Sequence, residues 1–158
     1  MSEITKKIEN VQKEWSKYIL DIGEAFRNGK DYKKLGEELL DKLYSFDNNN
    51  KISFKPTMPG KKNFRFLKKD VLSYFIGSNE KSNNDSGFAL KGWKKIIFEN
   101  YNIIQINNLA LAMGAYFFED SSNKTIEVEY TFAYLLENSE NTKIILHHSS
   151  IPYLKIND

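Results

Sequence analysis

The chain has 158 residues, 41% hydrophobic, 14% aromatic and 28% charged, with a formal net charge of +2. That is enough chain for one domain that buries roughly two-thirds of its unfolded surface, and too apolar a composition for a disordered one. The lack of cysteine excludes disulfides and thiolate metal sites, and a structural zinc, which would need its four ligands from two adjacent histidines and carboxylates, is not expected. No cofactor is predicted.

The opening stretch MSEITKKIENVQKEW mixes charges throughout and contains no apolar segment, so it predicts neither a signal peptide nor a membrane span, and the cytoplasm is the default location. Ile4, Ile8, Val11, Trp15, Tyr18, Ile19, Ile22, Ala25 and Phe26 recur at steps of three and four, the stripe of a long amphipathic helix that Gly29 ends. Asp31 is a good N-cap for a second helix with Tyr32, Leu35, Leu39, Leu40 and Leu43 on its apolar face, and the FDNNN segment closes the helical half. The lysines of this half alternate with acids at helical spacing, which is the pattern of a solvated face. The chain's arginines are Arg27 and Arg65, and its aromatics follow core periodicities, so no nucleic-acid partner is expected.

From ISFKPT (52–57) the period changes to two, a short strand halted by Pro56. KKDVLSYFIG (68–77) predicts a short helix or turn, and SNEKSNNDSG (78–87) an exposed loop. Strands are then expected at about residues 92–106, 109–119, 125–136 and 142–150. In IEVEYTFAYL, Ile126, Val128, Tyr130, Phe132 and Tyr134 share a buried face, with Glu127 and Glu129 on the wetter one. LALAMGAYF places Leu109, Leu111, Met113 and Ala115 on one face and Ala110, Ala112, Gly114 and Tyr116 on the other, where small residues admit a close approach. Helices that precede strands joined by short connections predict an α+β domain spanning 1–158, with a long helix packed across a curved antiparallel sheet to form a cone with an interior pocket.

Both histidines fall in the last strand, in LHHSSIPY (146–153). On a strand His147 shares a face with Ser149, and His148 shares the opposite face with Ser150; both faces have apolar neighbours, so alternation does not choose between them. Adjacent histidines on opposite faces cannot both bind one ion without a bulge.

ISFKPT, LSYFIG, SGFAL followed by GW, IFEN, LAMGAYFFED, VEYTFAYL and LHHSSIPY together resemble the iota-class carbonic anhydrases of bacteria and algae, over about residues 5–153. That group resembles in turn the association domain of calcium/calmodulin-dependent protein kinase II and has the nuclear transport factor two-like cone. Ala133, where a glycine is usual, and Ser78, where a second glycine often follows, depart from the pattern without removing a reacting group. The resemblance implies metal-free hydration of carbon dioxide to bicarbonate, with bicarbonate contacts from Thr57, Tyr74, His147 and Ser149. It selects the face with His147 and Ser149.

The chemistry of those residue types fits. Carbon dioxide suits a largely hydrocarbon site, for which Phe54, Phe75, Phe88 and Trp93 are available, while hydroxyls and an imidazole supply donors to bicarbonate. Without a metal, water needs a positioned base, and His147 with Tyr74 as relay or partner is expected to activate it while Thr57 and Ser149 orient the substrate oxygens. Two other functions use the same cone. An isomerase or cyclase would need a roomy cavity with an interior carboxylate, for which Glu127 or Glu129 would serve. A non-catalytic association module would pair copies through Leu111, Met113 and Phe117, or through Tyr130, Phe132 and Tyr134, and a homodimer through the sheet face is expected in the enzyme reading too.

Overall fold

The computed structural model describes residues 1–47, 51–138 and 141–154. Helix α1 (Glu3–Arg27) starts at Ser2, whose hydroxyl accepts from Thr5 N–H, and α2 (Tyr32–Leu43) starts at Asp31, whose carboxylate accepts from Lys34 N–H at 3.1 Å. Between them Gly29 takes φ +68, the left-handed conformation that lets the chain leave α1 and return Lys30 N–H to Ala25 O. Residues 48–50 of the expected FDNNN closure lie outside the described residues.

After the helices come β1 (Ser53–Lys55), α3 (Lys68–Ile76) and one turn of 3-10 helix at Phe88–Leu90. The remaining strands are β2 (Trp93–Ile106), β3 (Leu109–Asp120), β4 (Thr125–Leu136) and β5 (Thr142–Ser150). The sheet order is β1-β5-β4-β3-β2. β2 to β5 form the expected antiparallel meander, but β1 pairs parallel to β5, with Phe54 beside His147. The sheet is therefore mixed and not wholly antiparallel: β1 reaches β5 after the helices, free of any hairpin connection that would dictate its direction.

The α1 stripe of Ile8, Val11, Trp15, Ile19 and Ile22 and the α2 residues Leu39, Leu40 and Leu43 close over the inner face of the sheet, where Val128, Tyr130, Phe132 and Tyr134 are buried as the alternation predicts. Those β4 aromatics are core, which removes them as a contact surface between copies. Leu109, Leu111 and Met113 project from the outer face of β3 and stay exposed. What approaches closely at the small residues of β3 is the Tyr130 hydroxyl: it passes Gly114 to donate to Glu99 O (3.0 Å) and Asn100 Oδ1 (2.7 Å). A Cβ on Gly114 would lie 1.9 Å from Glu99 O, so only glycine fits there without backbone movement. Asn100 in turn exchanges two amide hydrogen bonds with Gln12, fastening α1 to the bulged strand β2.

β5 carries its own bulge. Ala133 pairs with Leu146 but Tyr134 with Ile144, so Ile145 has no partner on β4. The extra residue resets the alternation, allowing Ile144 and His147, three apart, both to face the core.

Candidate active site

His147 stands in the sheet between Phe54 of β1 and Phe132 of β4, its partners in register on either side. Phe132 stacks on the imidazole at 4.2 Å between ring centroids, Phe54 meets it edge-on at 5.2 Å, and the residue is 2% exposed. The structure places His147 and Ser149 inside and leaves His148 and Ser150 exposed, the choice that alternation left open.

Both ring nitrogens of His147 have a phenol partner. The Tyr44 hydroxyl lies 2.8 Å from Nδ1 and the Tyr116 hydroxyl 3.0 Å from Nε2. Behind Tyr44, Trp15 Nε1–H donates to its hydroxyl at 3.0 Å. Thr57 Oγ1 donates to Ser149 Oγ at 2.9 Å, which joins the loop after β1 to β5. One hydrogen-bonded run thus joins Tyr44, His147 and Tyr116, a second joins Thr57 and Ser149, and Tyr116 and Ser149 line the same cavity.

The expected pairing of His147 with Tyr74 is not the one formed. Tyr74 instead accepts from Met58 N–H at 3.4 Å, stacks on Phe88 at 5.5 Å, and lies beneath the Arg65 guanidinium at 5.7 Å. That guanidinium is wholly buried and held in two hydrogen bonds by Asp85 (2.5 and 2.7 Å), which also accepts from Ser73 Oγ and Gly60 N–H. The pair therefore fixes the loop that carries Thr57 to the helix that carries Tyr74. Removing one partner would strand a buried charge, a cost on the order of 3–5 kcal/mol.

Thr57, Tyr74, Tyr116, His147 and Ser149 line one small cavity with Trp15, Phe54, Pro56, Phe75 and Phe88. It offers about 10 Å³ to the centre of a water-sized sphere, roughly the room of one water. Every expected site residue but one reaches it. Trp93 lies a ring behind, packed on Phe88 and Phe118, where its indole N–H donates to Phe88 O. Trp15 and Tyr116 line the cavity without having been foreseen, and Tyr44, equally unforeseen, stands outside it on His147 Nδ1. Trp15 and Tyr116 were visible as members of apolar faces; Tyr44 had no pattern to mark it.

Among the described residues no carboxylate lines the cavity, and Glu127 and Glu129 are exposed on the far face of β4. An isomerase or cyclase would need the reverse of both this size and this lining. Burial drives each ionisable wall group toward its neutral form: it raises the Tyr74, Tyr116 and Tyr44 hydroxyls well above the ordinary phenol range. It also pushes His147 down to about 3, with a smaller contribution from His148. So weak a base, with both nitrogens engaged, is poorly suited to take a proton from water directly.

The α+β cone has the nuclear transport factor two-like fold, and comparison with known proteins narrows it. The family model described as metal-independent carbonic anhydrase matches residues 6–151, and the chain belongs to that family. A metal-independent carbonic anhydrase of Nostoc sp. strain PCC 7120 is 32% identical over 145 residues, covering 90% of this chain and 70% of the relative. The crystal structure of a cyanobacterial iota-carbonic anhydrase complexed with bicarbonate superposes with a TM-score of 0.88 at 29% identity, covering 95% of this chain and 93% of that one. A putative calcium/calmodulin-dependent protein kinase II association domain from Xanthomonas campestris shares the fold, with a TM-score of 0.58 at 18% identity over 92% and 85% of the two chains. No helix among the described residues is long and apolar enough to cross a membrane.

The buried imidazole has a measurable consequence. His147 is held down to about 3 in the folded chain against 6.5 for a free histidine, so between these values the unfolded chain binds the extra proton and stability falls as the pH falls. Its contribution is complete above about pH 6.5 and lost toward pH 3, by up to about 5 kcal/mol. Urea midpoints measured at several pH values should therefore drop more steeply on acidification in the wild type than in His147→Gln, whose amide does not titrate. Equal slopes would contradict the buried, neutral assignment.

Proposed function

We propose that this chain catalyses the reversible hydration of carbon dioxide to bicarbonate, with Thr57, Tyr74, His147 and Ser149 as its site. The observation that carries the reading is the Thr57–Ser149 hydroxyl pair, 2.9 Å apart, at the wall of a cavity otherwise built of aromatic rings. Apolar carbon dioxide enters such a space without losing strong hydrogen bonds, while the hydroxyls meet charge that develops on its oxygens. Phe54, Phe75 and Phe88 form the apolar wall, and Tyr74 lines the same space as Ser149. The family and the bicarbonate complex of the cyanobacterial relative support the same reading.

The hydroxyl pair also offers a path for the proton. The cavity as it stands has room for about one water, so its rings must part to admit carbon dioxide beside a water bound at Thr57. That water attacks the carbon, a C–O bond forms, and one C=O π bond opens onto an oxygen held by Ser149. As the water O–H breaks, its proton passes to Thr57 Oγ1, the Thr57 proton passes to Ser149 Oγ, and the Ser149 proton passes to the oxygen on which the π bond opened. The product is carbonic acid, which ionises to bicarbonate and a proton on reaching solvent. No step places a net charge on a buried group, which suits walls that disfavour charge. His147 acts on this path through Tyr116, in place of the direct contact with water expected from the sequence.

Stopped-flow measurement of proton release on mixing with dissolved carbon dioxide, in excess chelator, tests the proposal. Wild type should exceed the buffer rate, and Ser149→Ala and Thr57→Val should each lose about 100-fold. Wild-type release at the buffer rate, or unchanged variants, would refute it.

The same proposal takes the protein as a homodimer joined through the outer sheet face, where Ile104, Ile106, Leu109, Leu111 and Met113 form a contiguous exposed apolar surface on β2 and β3. Sedimentation should give a dimer for the wild type and a monomer for Leu111→Lys/Met113→Lys. A wild-type monomer would remove this part of the reading and leave the cavity chemistry standing.

A further inference from the structure

We infer that Tyr44, itself held by Trp15, fixes His147 as the tautomer with its proton on Nε2, so that the imidazole aligns the Tyr116 hydroxyl of the cavity and takes no proton itself. Tyr44 does not line the cavity; it is a positioning residue. The inference rests on the proposed reaction for its purpose but not for its geometry.

The argument is a count of protons. Indole N–H can only donate, so the Tyr44 oxygen accepts from Trp15. The Tyr44 hydroxyl has one proton to give, and among the described residues its other polar neighbour is His147 Nδ1 at 2.8 Å. A proton on Nδ1 would leave the Tyr44 hydroxyl accepting twice and its own proton without an acceptor, inside a side chain that is 0% exposed. Nδ1 is therefore the acceptor, and a neutral ring then carries its proton on Nε2.

From there the direction of each bond follows. Nε2–H donates to the Tyr116 oxygen at 3.0 Å, which leaves the Tyr116 proton free for the cavity that Tyr116 lines together with Ser149 and Thr57. The other tautomer reverses this: Tyr116 would donate to Nε2, and the cavity would lose that donor. A residue outside the cavity thus decides whether Tyr116 offers a proton or a lone pair to what is bound.

Nitrogen-15 NMR of histidine-labelled protein reads the tautomer without any turnover. Nε2 should show the protonated, pyrrole-like shift and Nδ1 the pyridine-like shift, unchanged between about pH 5 and 8. In Tyr44→Phe neither tautomer finds a partner at Nδ1, so the two should mix, and kcat should fall about tenfold with KM little changed. Trp15→Phe, which removes the donor to Tyr44 but gives the Tyr44 proton no other acceptor, should keep the Nε2 tautomer. A proton on Nδ1 in the wild type, a charged ring at neutral pH, or a Tyr44→Phe protein with an unchanged tautomer would overturn the inference. A correct tautomer in a protein that does not hydrate carbon dioxide would instead overturn the reaction and leave the positioning role intact.

Discussion

An imidazole with no access to water, stacked on Phe132 and bonded through both nitrogens to tyrosine hydroxyls, is the constraint around which the cone is organised. A buried histidine with an unpaired nitrogen would be a liability, so each neighbour has to arrive at a set distance. The bulge at Ile145 turns the ring inward, the parallel strand β1 covers it from one side, and Trp15 on α1 and Tyr44 at the end of α2 complete the shell. Sheet and helices are thereby tied to one another by polar contacts of fixed length as well as by apolar packing.

The electrostatic character of the cavity follows from that burial. A metal-based carbonic anhydrase makes hydroxide at neutral pH by coordinating water to a cation. Here the walls push in the opposite direction, with phenols held protonated and the imidazole held neutral. A path in which protons move between hydroxyls, with the product ionising only in solvent, is the form of hydration that such a site disfavours least. The buried pair Arg65 and Asp85 neutralise each other behind Tyr74 and hold its loop and helix together.

Much of the fold was legible because long periodic elements advertise themselves. The nine-member stripe of α1, the Asp31 cap and the alternation of β4 fall where their spacing puts them, and β2 to β5 begin and end within a residue or so of the expected limits. Strand β1 was legible as a strand, but its parallel pairing depends on where three residues land in space. The candidates Thr57, Tyr74, His147 and Ser149 came from the resemblance, since alternation alone treated the two histidines alike. The bulge just before them is a tertiary feature with no glycine to signal it. Tyr44 and Tyr116 show the same limit: each looks like packing until the nitrogen it faces is known, and Trp93, chosen as an aromatic near the right place, proves to back the wall instead of forming it.

The central claim is that one small space beside the Thr57–Ser149 pair receives the substrate. Crystals of this protein equilibrated with bicarbonate test it most directly. The account predicts density in the cavity bounded by Phe54, Tyr74 and Phe88, with oxygens at hydrogen-bond distance from Thr57 Oγ1 and Ser149 Oγ. Bicarbonate bound outside that cavity, or inside it but out of reach of both hydroxyls, would contradict it.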